Sequence, residues 1–182
     1  MSDTTTAVTY TIDPIHSTVG FKVRHLMVSN VRGEFSGVTG TVVIDPETPA
    51  NSKVDATIDA TTLNTRDEQR DQHLKSADFL DVEKFPTITF VSKKVVHKGE
   101  GESKVTGDLT IHGVTKEVVL DVEGPAPEAR DPWGNVKTGL SASNKLNRRD
   151  FGLAWNMALE TGGVLVGEEI AVHLELELTR QK

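Results

Sequence analysis

Apolar and polar residues alternate with a period of two over most of the chain. The clearest run is C-terminal, where Ile170, Val172, Leu174, Leu176 and Leu178 interleave with Glu169, Ala171, His173, Glu175 and Glu177, the pattern of a strand with one buried and one wet face. The same alternation recurs in Val19/Phe21/Val23, Gly40/Val42/Ile44, Val54/Ala56/Ile58/Ala60, Ile88/Phe90, Val105/Gly107/Leu109/Ile111 and Val118/Leu120/Val122, and more weakly in Thr138/Leu140/Ala142. Each run alternates instead of being apolar on both faces, which predicts antiparallel pairing. Turn residues separate the runs: Asp45-Pro46, Gly99-Glu100-Gly101, His112-Gly113, Gly124-Pro125, Asp131-Pro132-Trp133-Gly134 and Gly162-Gly163. About eight strands with short connections predict a closed barrel or a sandwich. No repeat or linker divides the chain, so residues 1–182 read as one domain with a flexible segment at 1–7.

Two segments depart from the alternation. Thr65-Arg66-Asp67-Glu68 has the form of a capping box, with Thr65 as N-cap, and predicts a short helix running to Ser76. Its strong apolar residue is Leu74, followed by Phe79, Leu80 and Phe85, so it can anchor at one end and act as a lid over the sheet. The apolar run within Arg24-His25-Leu26-Met27-Val28-Ser29-Asn30 suggests a second helical turn.

Composition narrows the function classes. Twenty Lys+Arg against 27 Asp+Glu give a formal charge of −7, which removes the electrostatic source of non-specific nucleic-acid or bilayer binding. No stretch approaches the roughly 20 apolar residues of a membrane helix. With no cysteine, disulfides, thiolate metal sites and Cys nucleophiles are excluded. Met1–Ala7 has neither the basic nor the apolar region of a secretory leader. A cytoplasmic location is therefore expected, or a periplasmic or secreted one where a leader has been removed.

Catalytic constellations are sparse. The six histidines, His16, His25, His73, His97, His112 and His173, show no metal-ligand spacing; His173 falls on a wet face and His112 in a turn. Ser17 and His16 are adjacent on an extended chain and point to opposite faces, so they form no nucleophile–base pair. Asp150-Phe151-Gly152 spells a kinase tripeptide without the Gly-rich loop or catalytic loop that would give it meaning. On the helix, Arg70 and His73 could clasp a ligand headgroup, or Arg70 could pair with Asp67 or Glu68 while His73 caps the backbone. Trp133 is expected to pack on the sheet. A barrel of about eight strands, some 30 Å tall, is wide enough for one extended apolar guest, although its own side chains could equally fill it.

Several longer stretches then add a resemblance. Tyr10-Thr11-Ile12-Asp13-Pro14-Ile15-His16-Ser17-Thr18-Val19-Gly20-Phe21, Val31-Arg32-Gly33-Glu34-Phe35, Arg70-Asp71-Gln72-His73-Leu74, Asp78-Phe79, Phe85-Pro86-Thr87-Ile88-Thr89-Phe90, Gly107 to Lys116, Asp131-Pro132-Trp133-Gly134, Arg149-Asp150-Phe151-Gly152 and Val166-Gly167 resemble, in order, the YceI-like, polyisoprenoid-binding bacterial family. Asp78 is followed by one aromatic where the family often has two. The resemblance implies an all-β fold: an eight-stranded antiparallel lipocalin-like β-barrel with a short helix between strands, enclosing a hydrophobic tunnel. It implies a protein that sequesters or carries a polyisoprenoid or fatty lipid, in a family with no generally agreed enzymatic activity; no enzyme, cofactor or metal is expected, and the expected partners are such a lipid and a second copy in a homodimer. The alternatives are an enzyme acting on such a lipid and a filled barrel with an interaction role.

The inward set by alternation parity is Phe21, Val23, Val42, Ile58, Phe90, Leu109, Val172 and Leu174. Leu140 continues it on the weaker strand. His25, Leu26, Met27, Phe35, Arg70, His73, Leu74, Phe79, Phe151 and Trp155 complete the candidate ligand-binding residues, with His16, His25, Arg70 and His73 as candidates for the polar end.

Overall fold

The computed structural model describes residues 6–160 and 162–182. Of the segment expected to be flexible, 1–5 lie outside the described residues, and Thr6 donates a hydrogen bond to Asp45 at 2.7 Å.

The strands are β1 (Val8–Ile12), β2 (Thr18–His25), β3 (Ser29–Phe35), β4 (Val38–Ile44), β5 (Lys53–Asp59), β6 (Thr87–Gly99), β7 (Glu102–Ile111), β8 (Val114–Glu123), β9 (Ala129–Arg130), β10 (Val136–Asn147) and β11 (Val166–Arg180). Neighbouring strands pair antiparallel in the order β3-β2-β11-β1-β4-β5-β6-β7-β8-β10-β9, and β10 also pairs with β11. That last pairing closes the sheet. β1 and β2 lie end to end along β11, and β3 and β4 continue one another opposite them, so eight barrel staves follow in sequence order.

The break between β1 and β2 has a local cause. Pro14 has no N–H to give to a ladder, and Asp13 turns its carboxylate onto the Ile15 N–H at 3.0 Å. Ser17, fully buried, stands in for the missing ladder bonds: its Oγ accepts from Glu177 N at 3.0 Å and donates to Glu177 O.

Alternation decides what is buried. On β5 the inward Ala56 and Ile58 are buried while Asp55 and Asp59 are exposed, and Ile12, Val38 and Leu178 lock β1, β4 and β11 into one core. A bulge in β6 between Ser92 and Lys94 then inverts the parity, turning Val95 inward opposite Val105. Two glycines serve close approach. A Cβ on Gly33 would lie 2.4 Å from the Phe21 ring, and one on Gly107 2.6 Å from the Phe90 ring.

The departures from alternation resolve differently from expectation. The 24–30 segment is not helical: β2 runs through His25, a turn occupies residues 26–28, and β3 begins at Ser29. The helix exists as α1 (Glu68–Lys75), but its N-cap is Asp67, whose side chain accepts from Arg70 N. Thr65 is displaced from that role because its backbone N–H and hydroxyl both bond Asp71. Trp133 does not pack on the sheet; it is 84% exposed at the β9–β10 turn.

Candidate ligand-binding site

The barrel interior is hollow, unlike the filled-barrel alternative. One cavity of about 530 Å³ lies at the α1 end, and a second of about 380 Å³ lies toward the opposite end. They share Val19, Ile58, Leu109, Leu146 and Val172 as walls, so the two meet at a waist. β11 lines the interior from Val166 to Leu176; at ~3.4 Å per residue and a ~40° tilt this is about 25 Å of length.

Phe21, Val23, His25, Phe35, Arg70, His73, Leu74, Phe79 and Trp155 wall the first cavity, together with the shared Ile58, Leu109 and Val172. Val42, Phe90, Leu140 and Leu174 wall the second. Four candidates fall elsewhere. Leu26 and Met27 are exposed, because both sit at the tip of the β2–β3 hairpin. Phe151 is buried in the 3₁₀ turn that follows β10 and lines neither cavity. His16 lies away from the cavities, where Asp13 and Glu177 bind its imidazole.

α1 covers the first cavity and is fastened from behind. Arg70 does not pair with Asp67 or Glu68; its Nε donates to the Thr65 hydroxyl at 2.8 Å and its Nη2 to the Thr65 carbonyl at 2.7 Å. His73 does not cap the backbone. Its Nε2 lies 2.9 Å from Asp78, and its ring stands edge-on to Phe79 and Trp155, with centroids 5.1 and 4.7 Å away. These rings form an apolar wall with a polar outer edge.

Behind that wall is Arg148, which the sequence reading missed. It is 2% exposed. Its guanidinium donates to the carbonyls of Gly167, Leu153 and Trp155 at 2.8, 2.5 and 2.9 Å, reaches Val166 O at 3.3 Å, and lies 6.0 Å from the Phe79 ring centroid. Burial pushes its pKa below the ordinary arginine value. The bonds tie the loop carrying Trp155 to the start of β11. A signal was available: the inward parity of Leu140, Ala142, Asn144 and Leu146 continues to 148.

His25 differs from these braced groups. It walls the first cavity, and its imidazole has no hydrogen-bond partner among the described residues.

Among the described residues, the nearest approach to a metal-ligand set, Asp13, His16 and Glu177, already holds a cationic side chain. Lys137 Nζ lies 2.9 Å from Asp13 and 3.5 Å from Glu177. Burial alone would raise the Asp13 pKa, but hydrogen bonds from His16 and Lys137 hold it well below the carboxylate range. The His16 pKa is raised by the same contact with Asp13.

Residues 10–178 match the model of the YceI-like domain. The chain belongs to the YceI-like family. A UPF0312 protein of Staphylococcus aureus (strain MSSA476) is 40% identical over 170 residues, covering 93% of this chain and 96% of its own. Among solved structures, the Campylobacter jejuni YceI protein is 34% identical with a TM-score of 0.72, covering 88% of this chain and 91% of that one. A polyisoprenoid-binding domain from Saccharophagus degradans, 13% identical, superposes with a TM-score of 0.68 over 96% of this chain and 99% of that one. At that identity the likeness is one of fold, and this YceI-like chain shares the closed barrel with it.

Proposed function

We propose that this protein binds a long-chain amphiphile, a polyisoprenoid or a fatty lipid, with its tail in the barrel and its polar head beneath α1, and acts as a binding or carrier module without catalysis. The observation that carries this reading is the pair of apolar cavities meeting at the Leu109–Val172 waist. Each CH₂ moved from water into such a space contributes about 0.8 kcal/mol before ordering costs. The shared fold with a domain described as polyisoprenoid-binding supports the choice of guest.

Polar recognition would fall to His25, with the His73–Asp78 pair at the rim. That pair is solvated, with side chains 40% and 52% exposed, an arrangement suited to holding a headgroup more than to abstracting a proton from a dry site. The test is organic extraction and mass spectrometry of the protein purified from its own host. A co-purifying prenol, quinone or fatty amphiphile, at near one per chain, supports the reading. Lipid recovered equally from a Leu109→Arg variant, whose charge would sit at the waist, would overturn it.

A further inference from the structure

The mouth of the first cavity carries an apolar edge that neither the barrel core nor the cavity uses. At the tip of the β2–β3 hairpin, Leu26, Met27 and Val28 are exposed, Val28 to 74%. The neighbouring segment adds Met157, also exposed. The two are joined: Leu26 N donates to Leu165 O at 2.9 Å, Leu165 N to Met157 O at 2.8 Å, and Met27 lies over Gly163. His25, Leu165 and Val166, immediately beneath, wall the cavity, so the edge is continuous with the opening.

The tip is held in an unfavourable backbone. Val28 N closes the turn onto His25 O at 3.1 Å, with Leu26 at φ 53° and Met27 at φ 61°. Two successive positive φ values suit Asn and Gly; here two large apolar side chains occupy them and stay about half exposed. Behind the tip, the hairpin carries Lys22, Arg24 and Arg32, none with a carboxylate within 4.0 Å among the described residues. Arg24 Nη2 donates to Met27 O at 3.1 Å, which brings a guanidinium to the tip itself. The acidic Glu168 nearby is neutralised by Arg149 at 2.8 Å. Two exposed carboxylates share this region, Glu34 on the hairpin and Glu160 between Met157 and Gly163, so three cations against two acids leave an apolar edge with a small cationic excess on a chain of net charge −7.

We propose that this edge docks on an anionic lipid bilayer, the apolar tip entering the headgroup layer and the unpaired cations meeting lipid phosphates. The use of such docking, direct passage of a lipid between bilayer and barrel, rests on the lipid-binding reading above; the docking is measured separately from it.

The test is cosedimentation of the full chain with vesicles of phosphatidylcholine alone and of phosphatidylcholine with phosphatidylglycerol. Anionic vesicles should retain about tenfold more protein. Leu26→Asn with Met27→Gly should lose about tenfold of that binding while melting at the same or a higher temperature, since these are the residues the turn prefers. Lys22→Gln with Arg32→Gln should narrow the difference between the two vesicles, with Arg24 at the tip keeping the remainder. Trp133→Ser, which removes a more exposed aromatic at the opposite end of β10, should bind as the parent does. Unchanged binding by the tip variant, or equal loss in Trp133→Ser, would overturn the proposal. So would a tip variant that only converts a dimer to monomer, which would assign the edge to a second copy. Polyprenol offered from detergent separates the two readings: uptake without vesicle binding overturns the docking surface alone, and vesicle binding without uptake overturns the cavity assignment alone.

Discussion

Replacing Arg148 with Met should be among the most destabilising single changes at the α1 end of the barrel. The side chain is fully buried, and the carbonyls it serves come from Leu153, Trp155, Val166 and Gly167. Val166 O keeps a second donor, Asn156 Nδ2 at 2.7 Å; the other three lose their side-chain partner. An acceptor left unpaired in the interior costs about 1–3 kcal/mol, and relief from burying a charge offsets part of the sum. The net loss should be about 3–5 kcal/mol. For a chain of this size that lowers the thermal midpoint by roughly 10 °C. Arg148→Lys should recover little, because one ammonium cannot span carbonyls on two segments. Urea unfolding followed by far-ultraviolet circular dichroism gives the number, with Trp155 fluorescence, read in a Trp133→Phe background, reporting the mouth. Arg148→Met unfolding within about 0.5 kcal/mol of the parent, the scatter of surface changes, would refute the bracing role.

Other outcomes follow from neighbouring features. Asp13, with its pKa lowered in the folded chain, contributes stability that is present above the unfolded carboxylate value of about 4 and lost as pH falls through the folded one; His16, with its pKa raised, contributes below about 6.5 and ceases to do so as pH rises through its folded value. Asp13→Asn should therefore cost stability at pH 7 and nothing in strong acid, while His16→Ala should cost most below about pH 6.5 and progressively less as pH rises through the raised folded value of the imidazole; paired urea titrations across pH test both signs. Gly33→Ala should cost about 1–3 kcal/mol through its clash with the Phe21 ring and Thr65 Cγ2, and adding Phe21→Ala should restore part of it. Thr65→Val, which removes the hydroxyl shared by Asp71 and Arg70, should release α1 from its seat and speed ligand dissociation in stopped flow, with the sheet signal unchanged.

Much of the barrel was readable because burial is one-sided. Strands such as β5 and β11 carry their inside and outside in every second residue, and the wall residues Phe21, Ile58, Leu109, Val172 and Leu174 follow from parity alone. Failures occurred where a nonlocal partner competed for a local signal. Thr65 and Asp67 are both good caps, and only the fold shows that Asp71 and Arg70 claim Thr65. The Leu26-Met27 turn lacks the Asn or Gly that would announce it, so its apolar run looked like a helical turn. In β6 the bulge that turns Val95 inward has no compositional mark. Arg148 and Arg149 are neighbours of identical chemistry, one buried on carbonyls and one paired with Glu168 at the surface; charge alone hid the first, although the parity of β10 pointed to it.

On the proposed function, binding free energy should come from a tail laid along the barrel interior. The direct measurement is calorimetric titration of the protein with prenols of one headgroup and increasing length, at low and high salt. Affinity should rise with each added unit until the interior of about 25 Å is filled, then level off, with little dependence on salt because the attraction is not between exposed charges. An affinity independent of chain length and weakened strongly by salt would contradict the account and place the ligand on the charged surface instead.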